Sequence, residues 1–209
     1  VITIVDYGLG NLGSVIKAFR WVWAETVLSG DPARLRQAEA LVLPGDGAFA
    51  AAMDGVRERG LVSVLRERAE AGTPLLGICI GMQLLFEESE EHGRHAGLGL
   101  LPGRVRRFGG DLPVPHMGWN SLHPRREHAL LDGIAEGAHV YFVHSYFCDA
   151  GPDVVVATSD YGIDFPAVVA RGSVLGVQFH PEKSQAVGLR MVENFVRSLN
   201  AAGGRRRSA

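Results

Sequence analysis

The sequence predicts an α/β fold: an open, twisted, mostly parallel sheet flanked by helices, with additional antiparallel strands. Three observations carry this expectation. Short, largely apolar runs, VITIVDYG at 1–8, ALVL at 40–43 and PLLGI at 74–78, have the texture of strands buried on both faces. Between them, apolar residues recur at helical spacing, the alternation that right-handed crossovers build into a parallel sheet. Residues 97–164 then change texture to short β-rich segments, GRVRRF, PHMGWNSL, AHVYFVHSYF and VVVATS, which read as the added antiparallel strands.

At 209 residues, 46% hydrophobic and 21% charged, the chain is long enough for one domain with a sizeable core. We expect that domain over 1–200 and a polar tail over 201–209. The formal charge of −2 offers no electrostatic case for nucleic acid, and the one dense basic run, Arg205 to Arg207, reads as a solvated end. Two cysteines without framework spacing and no leader pattern point to a reducing cytoplasm. No apolar stretch reaches membrane-spanning length.

The first strand ends at Gly8 and gives way to a helix over 12–23. Gly8, Gly10 and Gly13 satisfy GxGxxG between them, and Asp31 lies about where a ribose-binding acid is wanted, so a dinucleotide-binding domain is a rival reading. The milder reading is a loop shaped by these glycines and Asn11 at the carboxyl edge of the first strand. The run at 40–43 is stopped by Pro44, which cannot continue a strand ladder. Gly45 and Gly47 then free the backbone to turn N–H groups toward a ligand, as an oxyanion hole requires, or simply to turn into a helix. Residues 48–71 carry apolar positions at helical spacing with Arg and Glu opposite, which predicts two amphipathic helices used as scaffold.

The run PLLGICIGMQLLF at 74–86 changes from strand texture to helical period at Cys79. Gly77 and Gly81 flank that cysteine at two residues on either side, the cysteine counterpart of the GxSxG elbow. Such a turn lifts the sulfur above the sheet at a helix N-terminus, whose partial positive charge favours thiolate. A cysteine between small residues in an apolar run is also an ordinary core residue, so the motif alone leaves both readings open.

After Phe86 the acidic run Glu87, Glu88, Glu90, Glu91 reads as a solvated helix end, and His92 and His95 gain no further ligand for a metal. FPAVVA and SVLGVQF form a predicted hairpin across Arg171 and Gly172 that delivers His180, Pro181 and Glu182. Residues two apart on extended chain point the same way, so Glu182 can hold one nitrogen of His180 and leave the other for a thiol. Cys79, His180 and Glu182 thus supply a nucleophile, its base and the group that orients the base. A closing helix shows Val192, Phe195, Val196 and Leu199 as a stripe that packs on the sheet.

GICIGMQ at 77–83 followed by HPE at 180–182 resembles the class I, or triad, glutamine amidotransferases over essentially the whole chain. Within them, DYGLGN at 6–11, PGDGAF at 44–49, PHMGWN at 115–120, YFVHSY at 141–146 and HPEKS at 180–184 resemble the glutaminase subunits of imidazole glycerol phosphate synthases. The resemblance implies a flavodoxin-like sheet and hydrolysis of glutamine to glutamate and ammonia. The ammonia would pass to a separate (β/α)8-barrel cyclase, which makes imidazole glycerol phosphate and AICAR in histidine biosynthesis. It implies no cofactor and no metal. It also implies that Gln83, Ser145 and Tyr146 hold glutamine, that Gly45, Gly47 and Ile80 belong to the oxyanion site, and that Asn11, Trp119, Tyr141 and Lys183 meet the cyclase. Asp46 stands where the family more often has an uncharged residue. A carboxylate aimed at an oxyanion opposes the reaction, so its side chain is expected to point away from Cys79. A related glutaminase serving anthranilate, pyridoxal phosphate or another pathway is the nearest alternative. An α/β-hydrolase-type cysteine enzyme fits less well, because its acid precedes the histidine.

Overall fold

The first half of the chain alternates strand and helix as its periodicity demands. A computed structural model describes residues 1–206, and its elements run β1 (Ile2–Val5), α1 (Leu12–Trp21), β2 (Thr26–Ser29), α2 (Pro32–Arg36), β3 (Ala40–Leu43), α3 (Phe49–Glu58), α4 (Leu61–Glu70), β4 (Leu75–Ile78) and α5 (Ile80–Leu84). The second half is β-rich: β5 (Phe86–Ser89), β6 (His95–Ala96), β7 (Leu101–Arg107), β8 (His116–Ser121), β9 (His123–Pro124), β10 (His139–His144), β11 (Tyr146–Asp149), β12 (Val155–Asp160), β13 (Asp164–Arg171) and β14 (Val174–Val177), closed by α6 (Gln185–Arg206). The last three residues of the tail expected at 201–209 lie outside the described residues. The backbone of α6 is described as far as Arg206.

The main sheet has the order β2-β1-β3-β4-β14-β13-β12-β9, parallel from β2 through β14 and antiparallel beyond it. Every residue of β1, β3, β4 and β14 is buried, because helices cover both faces. Right-handed crossovers place α1 on one face and α2 to α4 on the other. On the first face α1 packs against α6, with Phe19 and Phe195 edge to face at 6.2 Å between ring centroids. The predicted hairpin is present, with Arg171 opposite Val174.

Two smaller sheets complete the structure. The ribbon β8–β10 is antiparallel and pairs Trp119 with Tyr141 and His116 with His144. The other has the order β11-β7-β5-β6, and in it β5 and β7 run parallel, a departure from the purely antiparallel addition expected for this half. AHVYFVHSYF therefore belongs to two sheets, broken at Ser145. Among the described residues no helix is long and apolar enough to cross a membrane.

Several boundaries differ from the sequence expectation. The first helix stops at Trp21, and Trp23, expected inside it, adopts left-handed backbone with φ 58°. The helix after Cys79 is only five residues long, so Phe86 opens a strand and the acidic run lies on β5 and the turn after it. The GxGxxG corner is a loop: the Asn11 side chain caps α1 by accepting from Ser14 N–H, and Asp31 caps α2 by accepting from Ala33 N–H. The carboxylate that a ribose would need is thus committed to a helix terminus.

Candidate active site

Cys79 occupies the join of β4 and α5 with φ 54° and ψ −112°, a backbone region that L-residues avoid. Its N–H still bonds Val177 O at 2.8 Å, so the sheet holds the residue up to the turn. The flanking glycines are required by close approach. A Cβ on Gly81 would lie 1.8 Å from the carbonyl oxygen of Leu43, and one on Gly77 would lie 2.6 Å from that of Gly81. The helix is pressed onto β3 and β4, and the strained cysteine is the result.

His180 follows β14 and reaches the same end of the sheet. Its Nδ1 lies 2.8 Å from Glu182 Oε1, and both side chains are only 3% exposed. The expected pairing is therefore present, for a different local reason: Pro181–Lys183 is a turn of 3-10 helix rather than extended chain. Burial alone would depress the imidazole, but its interactions with the Cys79 sulfur and with Glu182 outweigh burial and raise its pKa to about 10. Among the described residues the buried Nε2 bonds no oxygen or nitrogen and is left for the sulfur. A sulfur nucleophile beside an imidazolium that a carboxylate orients can form and resolve an acyl-enzyme.

The backbone of His180 is itself clamped. Its N–H donates to Tyr141 O at 3.0 Å, and its carbonyl accepts from the hydroxyl of Ser184 at 2.6 Å. The same hydroxyl accepts from Tyr141 N–H at 2.9 Å.

A cavity of about 160 Å³ opens beside the sulfur and is lined by residues from five segments: Asp46 and Gly47; Cys79, Ile80 and Gln83; Glu91; Pro115; and Val143 to Tyr146. Gln83, Ser145, Tyr146 and Ile80, all singled out by resemblance, meet there. Gly47 lines the cavity with φ 84°. Gly45 does not line it. It is buried behind, where a Cβ would meet the Tyr7 hydroxyl at 2.7 Å and Gly81 N at 2.8 Å.

Asp46 belongs to the wall of the same cavity as Cys79. Burial, the Cys79 sulfur and the Asp46 carboxylate together push the Tyr7 phenol far above its usual range, and that phenol donates to Pro44 O at 2.6 Å.

One residue of the cavity wall and one buried behind the sulfur are not marked by the sequence motifs. Glu91, read as part of a solvated helix end, is 9% exposed, and its Oε2 accepts from Phe49 N–H at the start of α3 at 2.7 Å. The break of helical period at Phe86 was the available signal. Gln178 is fully buried, accepts from Gln83 Nε2 at 3.1 Å and directs its own Nε2 at Cys79 Sγ at 3.8 Å. A polar residue inside the apolar run SVLGVQF was its only mark.

Asn11, Trp119 and Lys183 are exposed, and Tyr141 is half-buried against Trp119 with ring centroids 6.0 Å apart. The turn 181–183 packs on both β10 and α1, so the four residues surround one rim of the sheet near His180. Met117, beside Trp119 on β8, is 62% exposed and adds apolar surface to that rim.

Residues 4–199 match the profile of a family described as Glutamine amidotransferase class-I. A protein of Geobacillus kaustophilus named Imidazole glycerol phosphate synthase subunit HisH is 56% identical over 203 residues, covering 94% of this chain and 96% of its own length. A protein of the same name from Salinibacter ruber is 51% identical over 201 residues, 92% of each chain. A solved structure described as a glutamine amidotransferase superimposes with a TM-score of 0.76 at 25% identity, covering 96% of this chain and 99% of its own. The strained Cys79 elbow, the His180–Glu182 pair at the same sheet edge and a match over nearly the whole length agree: this chain belongs to the class I glutamine amidotransferase family.

Proposed function

We propose that this chain is the glutaminase subunit of an imidazole glycerol phosphate synthase. It hydrolyses glutamine to glutamate and ammonia, and the ammonia is channelled to a cyclase subunit. The observation that carries the reading is the meeting of the Cys79 sulfur with the His180–Glu182 pair beside a small polar cavity. The names and identity of the relatives direct it to this synthase.

Glutamine enters with its side-chain amide toward the sulfur. Cys79 attacks the amide carbon, and the oxygen takes up negative charge. We assign that charge to N–H groups of Ile80 and of the loop that contains Gly45 and Gly47. His180 gives its Nε2 proton to the departing nitrogen, ammonia leaves, and a thioester remains on Cys79. His180 then takes a proton from water as the water attacks the thioester, which frees glutamate and restores the sulfur. Glu182 keeps Nδ1 occupied throughout, so the proton moves only at Nε2. Gln83 and the Ser145–Tyr146 backbone hold the amino-acid end of the substrate, and Glu91 supplies the anionic group that an α-ammonium requires.

The cyclase, a (β/α)8 barrel, docks over the rim formed by Asn11, Trp119, Tyr141 and Lys183, and uses the ammonia to make imidazole glycerol phosphate and AICAR. We assign the reaction to the cytoplasm, in keeping with two free, buried cysteines. The test is an assay of the assembled synthase with Cys79→Ala. Glutamine-dependent synthesis is lost and synthesis from added ammonium persists. Loss of both activities would place Cys79 in assembly instead of chemistry.

A further inference from the structure

We propose that His116 and His144 form a neutral, one-way hydrogen-bond relay that positions the Tyr146 carbonyl, and through it Gln83, at the wall of the cavity. Both imidazoles are buried, 4% and 5% exposed, and neither touches the sulfur in the mechanism above. His116 Nδ1 lies 3.0 Å from His144 Nε2. On one side, His144 Nδ1 lies 2.8 Å from Tyr146 O. On the other, Asn120 Nδ2 lies 3.2 Å from His116 Nε2.

The two ends decide where every proton is. A carbonyl can only accept, so His144 donates from Nδ1 to Tyr146 O and, being neutral, must accept at Nε2. His116 therefore donates from Nδ1 and accepts at Nε2. The partner at that nitrogen is an amide whose orientation is fixed independently: Asn120 Oδ1 accepts from Ser121 N–H at 2.8 Å, and Nδ2 donates to Asp160 O at 2.7 Å. Asn120 thus presents a donor, the only group that completes the chain. Protonating either ring would bring two N–H groups face to face.

The surroundings enforce neutrality. His116 is sandwiched between Phe142 and Tyr161, with ring centroids 5.0 Å and 4.2 Å away, and Phe108 and Phe165 close around His144. Of the titratable groups near the pair, His180 would oppose a second positive charge, Tyr161 turns its hydroxyl away to Pro113 O, and Asp46, Cys79 and Glu91 share the cavity wall with His144. Burial lowers the pKa of both rings, that of His144 to about 3.

The relay meets the site at Tyr146 O, which accepts from Gln83 Nε2 at 3.0 Å as well as from His144. Gln83 also donates to Gln178, whose amide faces the sulfur. Donors and acceptors thus connect Asn120, on the strand that carries exposed Trp119, to the residues around Cys79. Its effect on substrate rests on the glutamine reading of the cavity, whereas the relay itself does not.

Two measurements separate these. In 15N NMR of the full chain, both rings show a protonated Nδ1 and a bare Nε2, the reverse of the tautomer favoured by free histidine. They keep that signature as pH falls below the ordinary histidine pKa. Protonated Nε2 in either ring, or titration near the ordinary histidine value, overturns the relay. In the assembled synthase, Asn120→Leu removes one donor, and Asn120→Asp replaces the donor by an acceptor and frustrates the whole chain. Losing or opposing one neutral hydrogen bond raises KM for glutamine by about threefold to tenfold, more for Asp than for Leu, with kcat changed less. Equal effects of the two variants, or an unchanged KM, overturn the positioning role. A parent enzyme that fails to saturate with glutamine refutes the functional reading, and the NMR result still decides the relay.

Discussion

The hydroxyl of Ser184 bridges His180 and Tyr141, donating to the carbonyl of one at 2.6 Å and accepting from the N–H of the other at 2.9 Å. It adds a second link to the direct bond from His180 N–H to Tyr141 O at 3.0 Å. His180 is thereby fastened to β10, the strand that also walls the cavity.

Ser184→Ala is expected to strip Tyr141 N–H of this acceptor, whereas the His180 carbonyl keeps the N–H of Lys183 at 3.0 Å. One stranded group costs about 1 to 3 kcal/mol, so urea denaturation should show a loss in that range. Glutamine hydrolysis should fall at the same time, because His180 loses its brace. A variant as stable and as active as the parent would show that the bridge positions nothing.

The pH dependence follows from His180. Its folded pKa is raised from 6.5 to about 10, so the stability it contributes is complete below 6.5 and is lost as pH rises through about 10. The same loss removes the proton that the departing nitrogen needs. Hydrolysis by the assembled synthase should therefore decline only as pH approaches about 10. In Glu182→Gln one raising partner is gone, so the alkaline limb moves to lower pH and kcat falls by about 100-fold or more. A limb that stays in place would mean that Glu182 does not hold the imidazolium.

Two glycines near the sulfur should respond differently to alanine. At Gly81 the added Cβ would fall 1.8 Å from Leu43 O, backbone that cannot step aside, so little folded Gly81→Ala is expected from circular dichroism and thermal melts. At Gly47 nothing lies within 4 Å, and only the φ of 84° is unfavourable. Gly47→Ala should cost about 1 to 2 kcal/mol and melt cooperatively. Equal damage at both positions would contradict the close approach described for α5.

Asp46 places a negative charge on the loop that the oxyanion would approach. Asp46→Asn removes the charge at constant shape and should raise glutamine hydrolysis by the chain without its cyclase several-fold, about 1 kcal/mol in the barrier. An unchanged or lower rate would show that the carboxylate is turned from the reacting atoms.

Trp119, 47% exposed on the rim, is the aromatic best placed to anchor a partner. Trp119→Ala should weaken cyclase binding by about 2 kcal/mol or more in calorimetry and leave the melting temperature of the chain unchanged. Undiminished affinity would move the interface elsewhere.

Much of this was legible in the sequence, because strand burial and helical period are local properties. The buried runs, the two scaffold helices, the hairpin before His180 and the Cys79 elbow stand where their residues predict. Glu91 was hidden because a run of acids looks alike whether it is solvated or turned inward, and only the strand pairing of β5 decides which member faces the cavity. The His180–Glu182 pair was foreseen on extended chain, whereas Pro181 makes a helical turn, which brings the same two side chains together by another route.

Ser145 belongs to no strand: β10 before it pairs with β8, and β11 after it pairs with β7. A tilt of the β8–β10 ribbon would therefore bend the chain at Ser145, whose carbonyl accepts from Phe108 N–H at 3.2 Å, and would widen or pinch the cavity that Ser145 lines. A mechanical push on Trp119 from outside would reach the chemistry through that pivot, as a lever acts through its fulcrum.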